Sequence, residues 1–204
     1  MNRTHRFRAG IALATLVLFS SVNAFSGDSL EDPATALIIV DIQDFYFPGG
    51  ALPLVDPEPA AAAAARVLDR FRDHGQPVVH VGHNAPRGKG FYDAVAPLPG
   101  EMLIFKDEVN AFKGTALEFW LREQRIRRVV ICGMQTHMCA EAAVREASDL
   151  GFEVVMIADA CATRDLTFGD RTVPAAAVHA ATLATLDRVY ATVMTADEFL
   201  AAHP

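Results

Sequence analysis

The sequence predicts a three-layer α/β/α domain built on a mainly parallel six-stranded sheet. Two observations carry this. Short β-rich apolar runs alternate with helical patterns along the chain, as βαβ units do. The length of 204 residues and the 51% hydrophobic share suffice for one sizeable core and are short for two.

The predicted strands are Ala36 to Val40, Pro77 to Val81, Met102 to Phe105, Val129 to Cys132, Val154 to Ile157 and Val189 to Thr192. Helical patterns fall between them at 58–74, 115–124, 137–150 and 174–186, and a short one follows at 196–202. The first helix is the best punctuated. Asp56-Pro57 reads as its N-cap and first helical position, Gly75 as its stop, and Val67, Leu68 and Phe71 repeat at helical spacing. The alanine run Ala60 to Ala65 lies inside it. His80 reads as a satisfied, half-buried residue of the second strand. Parallel sheets of this kind bind ligands beyond the carboxyl ends of their strands, which is where reactive side chains are to be sought.

The opening segment carries Arg3, Arg6 and Arg8, an apolar run from Ala9 to Phe19, and small or polar residues ending in Val22-Asn23-Ala24. This is the layout of a secretory signal peptide cleaved after Ala24, which leaves residues 25–204 as the mature domain in the periplasm or outside the cell. An uncleaved anchor helix is the alternative. Removing the three arginines takes the formal charge from −7 to −10. An acidic chain does not suit nucleic acid or anionic lipid, both of which require cationic neutralisation. The expected partner is a small-molecule substrate, with no membrane partner after cleavage and with the chain as a homo-oligomer. Cys132, Cys139 and Cys161 are too few, and odd in number, for a disulfide scaffold.

Three reactive side chains follow three different strands. Asp41 closes the first and Lys106 the third, and Cys139 comes after the fourth across Gly133-Met134-Gln135-Thr136-His137-Met138. Each alone has an ordinary reading: a turn residue, a solvated cation, a small buried hydrophobe. Together they resemble a known pattern. Ile39-Val40-Asp41-Ile42-Gln43, with Tyr46-Phe47-Pro48-Gly49-Gly50, is similar to the first motif of the isochorismatase-like cysteine hydrolases, which include the nicotinamidases. Phe105-Lys106, with Asn110-Ala111-Phe112 and Thr115-Ala116-Leu117, resembles the second. Cys132 to Cys139 with Glu141-Ala142-Ala143 resembles the third, and Asp159-Ala160-Cys161-Ala162-Thr163 continues it. The likeness spans about residues 35 to 200.

The resemblance implies the fold of that family and a catalytic trio of Asp41, Lys106 and Cys139. It also implies a cis peptide between Met134 and Gln135, with the backbone N–H groups of Gln135 and Cys139 as an oxyanion hole. Tyr46, Phe47, His83, Phe112 and His137, with Met138, are its candidate substrate contacts, Tyr46 and Phe112 foremost. The reaction implied is hydrolysis of an amide, ureide or carbamate through a cysteine thioester. Nicotinamidases add a divalent metal on an Asp-x-His pair and a further His. Here the equivalent stretch reads Val55-Asp56-Pro57-Glu58-Pro59, and His83 alone is left as an imidazole ligand, so no metal or other cofactor is expected. Two other readings remain: an isochorismatase proper, which cleaves a vinyl ether without a cysteine nucleophile, and an inactive binding or assembly protein with this fold.

The chemistry explains the residue types. A free cysteine with a pKa near 8.5 is only a few per cent thiolate at neutral pH. A helix N-terminus contributes about 0.3–1 kcal/mol, less than one pKa unit. A neighbouring ammonium and a base are therefore needed, and Lys106 and Asp41 are available. In an oxidising compartment Cys161, which follows the fifth strand, is a candidate disulfide partner for Cys139, whereas Cys132 reads as buried in its strand.

Overall fold

The computed structural model describes residues 34–203. The predicted leader, residues 1–24, lies outside the described residues. Six parallel strands form one sheet in the order β3-β2-β1-β4-β5-β8. They are β1 (Thr35–Val40), β2 (Val78–His83), β3 (Met102–Lys106), β4 (Arg128–Met134), β5 (Glu153–Ala162) and β8 (Thr192–Met194). The central strands are apolar on both faces because helices cover both. Helix α1 (Pro57–Asp73) packs with α5 (Ala196–Ala202), and α3 (Glu141–Asp149) packs with α4 (Ala175–Leu186). Helix α2 (Leu117–Glu123) connects β3 to β4.

The small side chains of α1 let it lie close on the sheet: Ala60, Ala61, Ala63 and Ala64 are buried along with Val67, Leu68 and Phe71. Asp56 does stand at its N-cap, but in the left-handed region with φ 49° and with no side-chain capping bond. Gly75, at φ 61°, ends the helix as expected.

Several boundaries differ from the sequence reading. The sixth strand begins at Thr192, not Val189, because the chain turns first: the N–H groups of Tyr190 and Ala191 both bond to Leu186 O, and Val189 is left exposed. Helix α2 starts at Leu117, since the Thr115 hydroxyl bonds to Ala111 O and receives the Leu117 N–H. The helix expected from 137 opens instead as a π-helical turn, Thr136–Ala140, and only then runs on as α3. A hairpin of β6 (Leu166–Phe168) and β7 (Arg171–Val173) was not foreseen; it stands out from the sheet with Phe168 88% exposed.

His80 is fully buried rather than half-buried, and its Nδ1 has no partner. Its Nε2 meets Glu101 at 2.8 Å, and Glu101 forms a two-pronged pair with Arg72 at 2.7 and 2.9 Å. Glu101 also receives the Leu98 N–H. These bonds tie the start of β3 to the last turn of α1. Burial opposes the Glu101 charge, but the Arg72 bond, the Leu98 N–H and His80 outweigh it and bring the carboxyl down to about 2.

A carboxyl held low in the folded state adds stability above its unfolded pKa, and that stability is lost as pH falls through the folded value. Replacing Glu101 by Gln is expected to cost about 2 kcal/mol at neutral pH. In denaturant titrations the deficit should shrink as pH falls from 4.5 towards about 2.

Candidate active site

The sheet order reverses direction between β1 and β4, and such a switch point opens a crevice at the carboxyl ends of the strands. Asp41 follows β1 on one side of it. The turn bearing Cys139 follows β4 on the other. Gly133 brings the two strands together: its φ is 138°, and a Cβ there would stand 1.9 Å from Val40 O. Asp41 itself takes a left-handed φ of 52°, which Asp tolerates better than most residues. Lys106 comes from β3, the outer edge of the sheet and two strands from β1, a span of about 10 Å. Only a long side chain crosses that span past the end of β2.

The three side chains meet as the resemblance implied. Lys106 Nζ donates to Asp41 Oδ2 at 2.8 Å and stands within hydrogen-bond reach of Cys139 Sγ at 3.3 Å, and Asp41 and Lys106 are essentially inaccessible to solvent. Lys106 also donates to Glu108 O at 3.0 Å and approaches His83 Nδ1 at 3.4 Å. Asp41 Oδ1 is buried with no hydrogen-bond partner. The Met134–Gln135 peptide is cis. In the turn that follows, the N–H groups of Met138 and Ala140 close onto Gln135 O.

Burial raises the Asp41 carboxyl above its ordinary 3.8 against the opposing pull of Lys106. The Cys139 thiol is pushed up to about 12, first by burial and then by the facing Asp41 charge, which together exceed the help from Lys106. The sulfur is therefore a thiol at rest. The ammonium does not by itself prepare a thiolate, and any use of the sulfur as a nucleophile requires the proton to be removed first.

Of the candidate substrate contacts, Tyr46 and His83 adjoin the trio. Tyr46 receives a bond from Gln135 Nε2 at 3.4 Å, and burial and the nearby Cys139 and Asp41 charges push its phenol pKa up. The others engage different neighbours. Phe47 stacks on Tyr92, the Phe112 N–H is held by Asn110, and His137 Nδ1 pairs with Thr163 at 2.6 Å. Cys161 does not approach Cys139 as a partner. Its thiol bonds to Ile157 O beside Cys132, and it lines a cavity with Asp56, Asp159 and His179. All three cysteines are free. Among the described residues no group of three metal-binding side chains forms.

The sequence reading assigned nothing to Gln43, Arg164 or His179. Gln43 is a buried clamp on His83 and Lys89, Arg164 Nε donates to Gln135 Oε1 at 3.2 Å, and His179 Nδ1 pairs with the Thr136 hydroxyl at 2.9 Å. Gln43 did carry a signal, being part of the first motif.

Removing one member of a buried ion pair strands the other. Lys106→Met alone is expected to cost about 3–5 kcal/mol. The double variant Asp41→Asn/Lys106→Met should recover most of that loss in a denaturation cycle over the four proteins.

Comparison with known proteins identifies the family and the fold. Residues 35–198 match the model of the isochorismatase domain. The uncharacterized isochorismatase family protein YddQ of Bacillus subtilis is 42% identical over 177 residues, 81% of this chain and 98% of its own. A maleamate amidohydrolase of Pseudomonas putida is 30% identical over 63% of this chain and 72% of its own. The crystal structure of a putative isochorismatase hydrolase from Oleispira antarctica superposes with a TM-score of 0.80 at 42% identity, covering 86% of this chain and 100% of that one. With the family model spanning the whole sheet and its flanking helices, the chain belongs to the isochorismatase family of hydrolases.

Proposed function

We propose that this protein hydrolyses a carbon–nitrogen bond of a small amide, ureide or carbamate through a thioester on Cys139. The observation that carries the reading is the buried trio: an ammonium 2.8 Å from a carboxylate and 3.3 Å from a sulfur, with the second carboxylate oxygen unengaged. Asp41 Oδ1 accepts the thiol proton as the sulfur attacks the carbonyl carbon, and Lys106 balances the negative charge throughout. The backbone N–H groups of Gln135 and Cys139, flanking the cis peptide turn, hold the tetrahedral oxyanion. Asp41 returns the proton to the departing nitrogen. It then takes one from the water that cleaves the thioester and passes it to the departing sulfur, so that an amide and water become an acid and an amine and the resting thiol and carboxylate are restored. The sulfur beside Lys106 favours this chemistry over vinyl-ether cleavage, and the maleamate amidohydrolase named above is a relative named for amide hydrolysis.

Screening small amides, ureides and carbamates for ammonia release tests the reading. Cys139→Ala is expected to abolish turnover of any substrate found; a wild-type rate in that variant would remove the nucleophile.

Asp41 must be ionised to accept the proton. Because its pKa lies above 3.8, kcat/KM is expected to fall about tenfold per unit once pH drops below that raised value. Asp41→Asn should lower kcat by about 10²-fold or more and remove this acid limb from the residual rate.

A further inference from the structure

The Lys106 ammonium has three hydrogens and four acceptors around it. Asp41 Oδ2 at 2.8 Å and Glu108 O at 3.0 Å are the near ones. Cys139 Sγ at 3.3 Å and His83 Nδ1 at 3.4 Å are left to compete for the third hydrogen. They are chemically unequal. A neutral thiol is a weak acceptor, whereas an imidazole in the tautomer with its hydrogen on Nε2, the one an ammonium donating to Nδ1 selects, is a good one. A thiolate reverses the order, since hydrogen bonds between ionised partners are the stronger class.

The imidazole does not reach this place by chance of rotamer. Gln43, fully buried, takes the His83 N–H on its Oε1 at 2.7 Å and donates from Nε2 to His83 O at 3.2 Å and to Lys89 O at 2.7 Å. One side-chain amide thus holds both main-chain groups of His83, as a neighbouring strand would. Register does the rest, because His83 pairs with Lys106 across β2 and β3. The motif residue two places after Asp41 thereby fixes the direction from which an imidazole meets the ammonium.

We propose that His83 is a positioning residue that holds the third hydrogen of Lys106 in the resting site and yields it to the sulfur when Cys139 loses its proton. The proton count is complete. The thiol hydrogen moves to Asp41 Oδ1, and one Lys106 N–H turns from His83 Nδ1 to the thiolate. Lysine keeps all three hydrogens and no covalent bond of His83 changes. Ionising the free enzyme's sulfur then requires breaking the bond to His83, so the thiolate, the form open to oxidants and electrophiles, stays scarce until an acyl group arrives. The charged or titratable neighbours of Cys139 in this event are Asp41 and Lys106, with Tyr46 and His83 beside them and Arg164 beyond Gln135.

The inference uses the proposed role of Cys139 only for its consequence, and its test needs no substrate. Thiolate absorbance is followed against pH in the wild type and in His83→Phe, His83→Leu and His83→Asn, each corrected by its own Cys139→Ser counterpart. The two apolar variants should show about threefold or more thiolate than wild type at a given alkaline pH, the equivalent of one modest hydrogen bond. His83→Asn, which keeps an acceptor, should track the wild type. Unchanged thiolate in both apolar variants overturns the proposal, as does an equal rise in all three. If His83→Leu does not fold, the ring-preserving His83→Phe decides. A positive result with no substrate found would leave this hydrogen-bond switch standing and count against the hydrolase reading alone; a null result with Cys139-dependent amide turnover would do the reverse.

Discussion

A single buried cation organises this molecule. Taking the Lys106 ammonium out of water costs several kcal/mol, and so does burying the Asp41 carboxylate beside it. Each is tolerable only against the other, at 2.8 Å, with further oxygen from Glu108. The surrounding architecture serves that meeting. The sheet changes direction between β1 and β4, a glycine lets those strands approach, and a left-handed aspartate turns its carboxylate into the crevice.

The same desolvation sets the chemistry. In water an ammonium beside a thiol would favour the thiolate; here burial and the facing carboxylate outweigh it, and the sulfur keeps its proton. Dryness thus works twice. It keeps the Cys139 sulfur protonated, and it strengthens every electrostatic contact among the groups around it.

The strands of the sheet were legible because their residues are apolar on both faces and β-branched, so their pattern resembles nothing else. Val189 misled because its β-branched character was read without its place beside Arg188, which takes a left-handed turn. The β6–β7 hairpin gave no signal: it packs against itself and buries too little to show a periodicity. The π-helical turn at Thr136–Ala140 could not be told from the start of α3, since a single turn is too short for its wider i→i+5 spacing to show in the pattern. As for the site, the identities of Asp41, Lys106 and Cys139 came from resemblance, and single-residue reasoning would have left each of them ordinary. Their proton states could not be read at all, because these depend on how much water the fold excludes. Nor could the contacts made by His83, at the end of β2, or by Gln43 and Arg164, in segments far from it along the chain, because they depend on which strand ends the sheet order brings together.

One consequence follows from where the lysine is mounted. β3 has a neighbour on one side only, and its Leu103 and Phe105 look outwards while Ile104 and Lys106 look in. A border strand has ladder bonds to one neighbour only, so it opens locally at lower cost than a central one. The cation is thus fastened to the molecule's hem, pinned at the far end of that strand by Glu101 and Arg72. Loosening of the hem would withdraw the ammonium while the interior is still intact, and leave the Asp41 carboxylate buried without its partner.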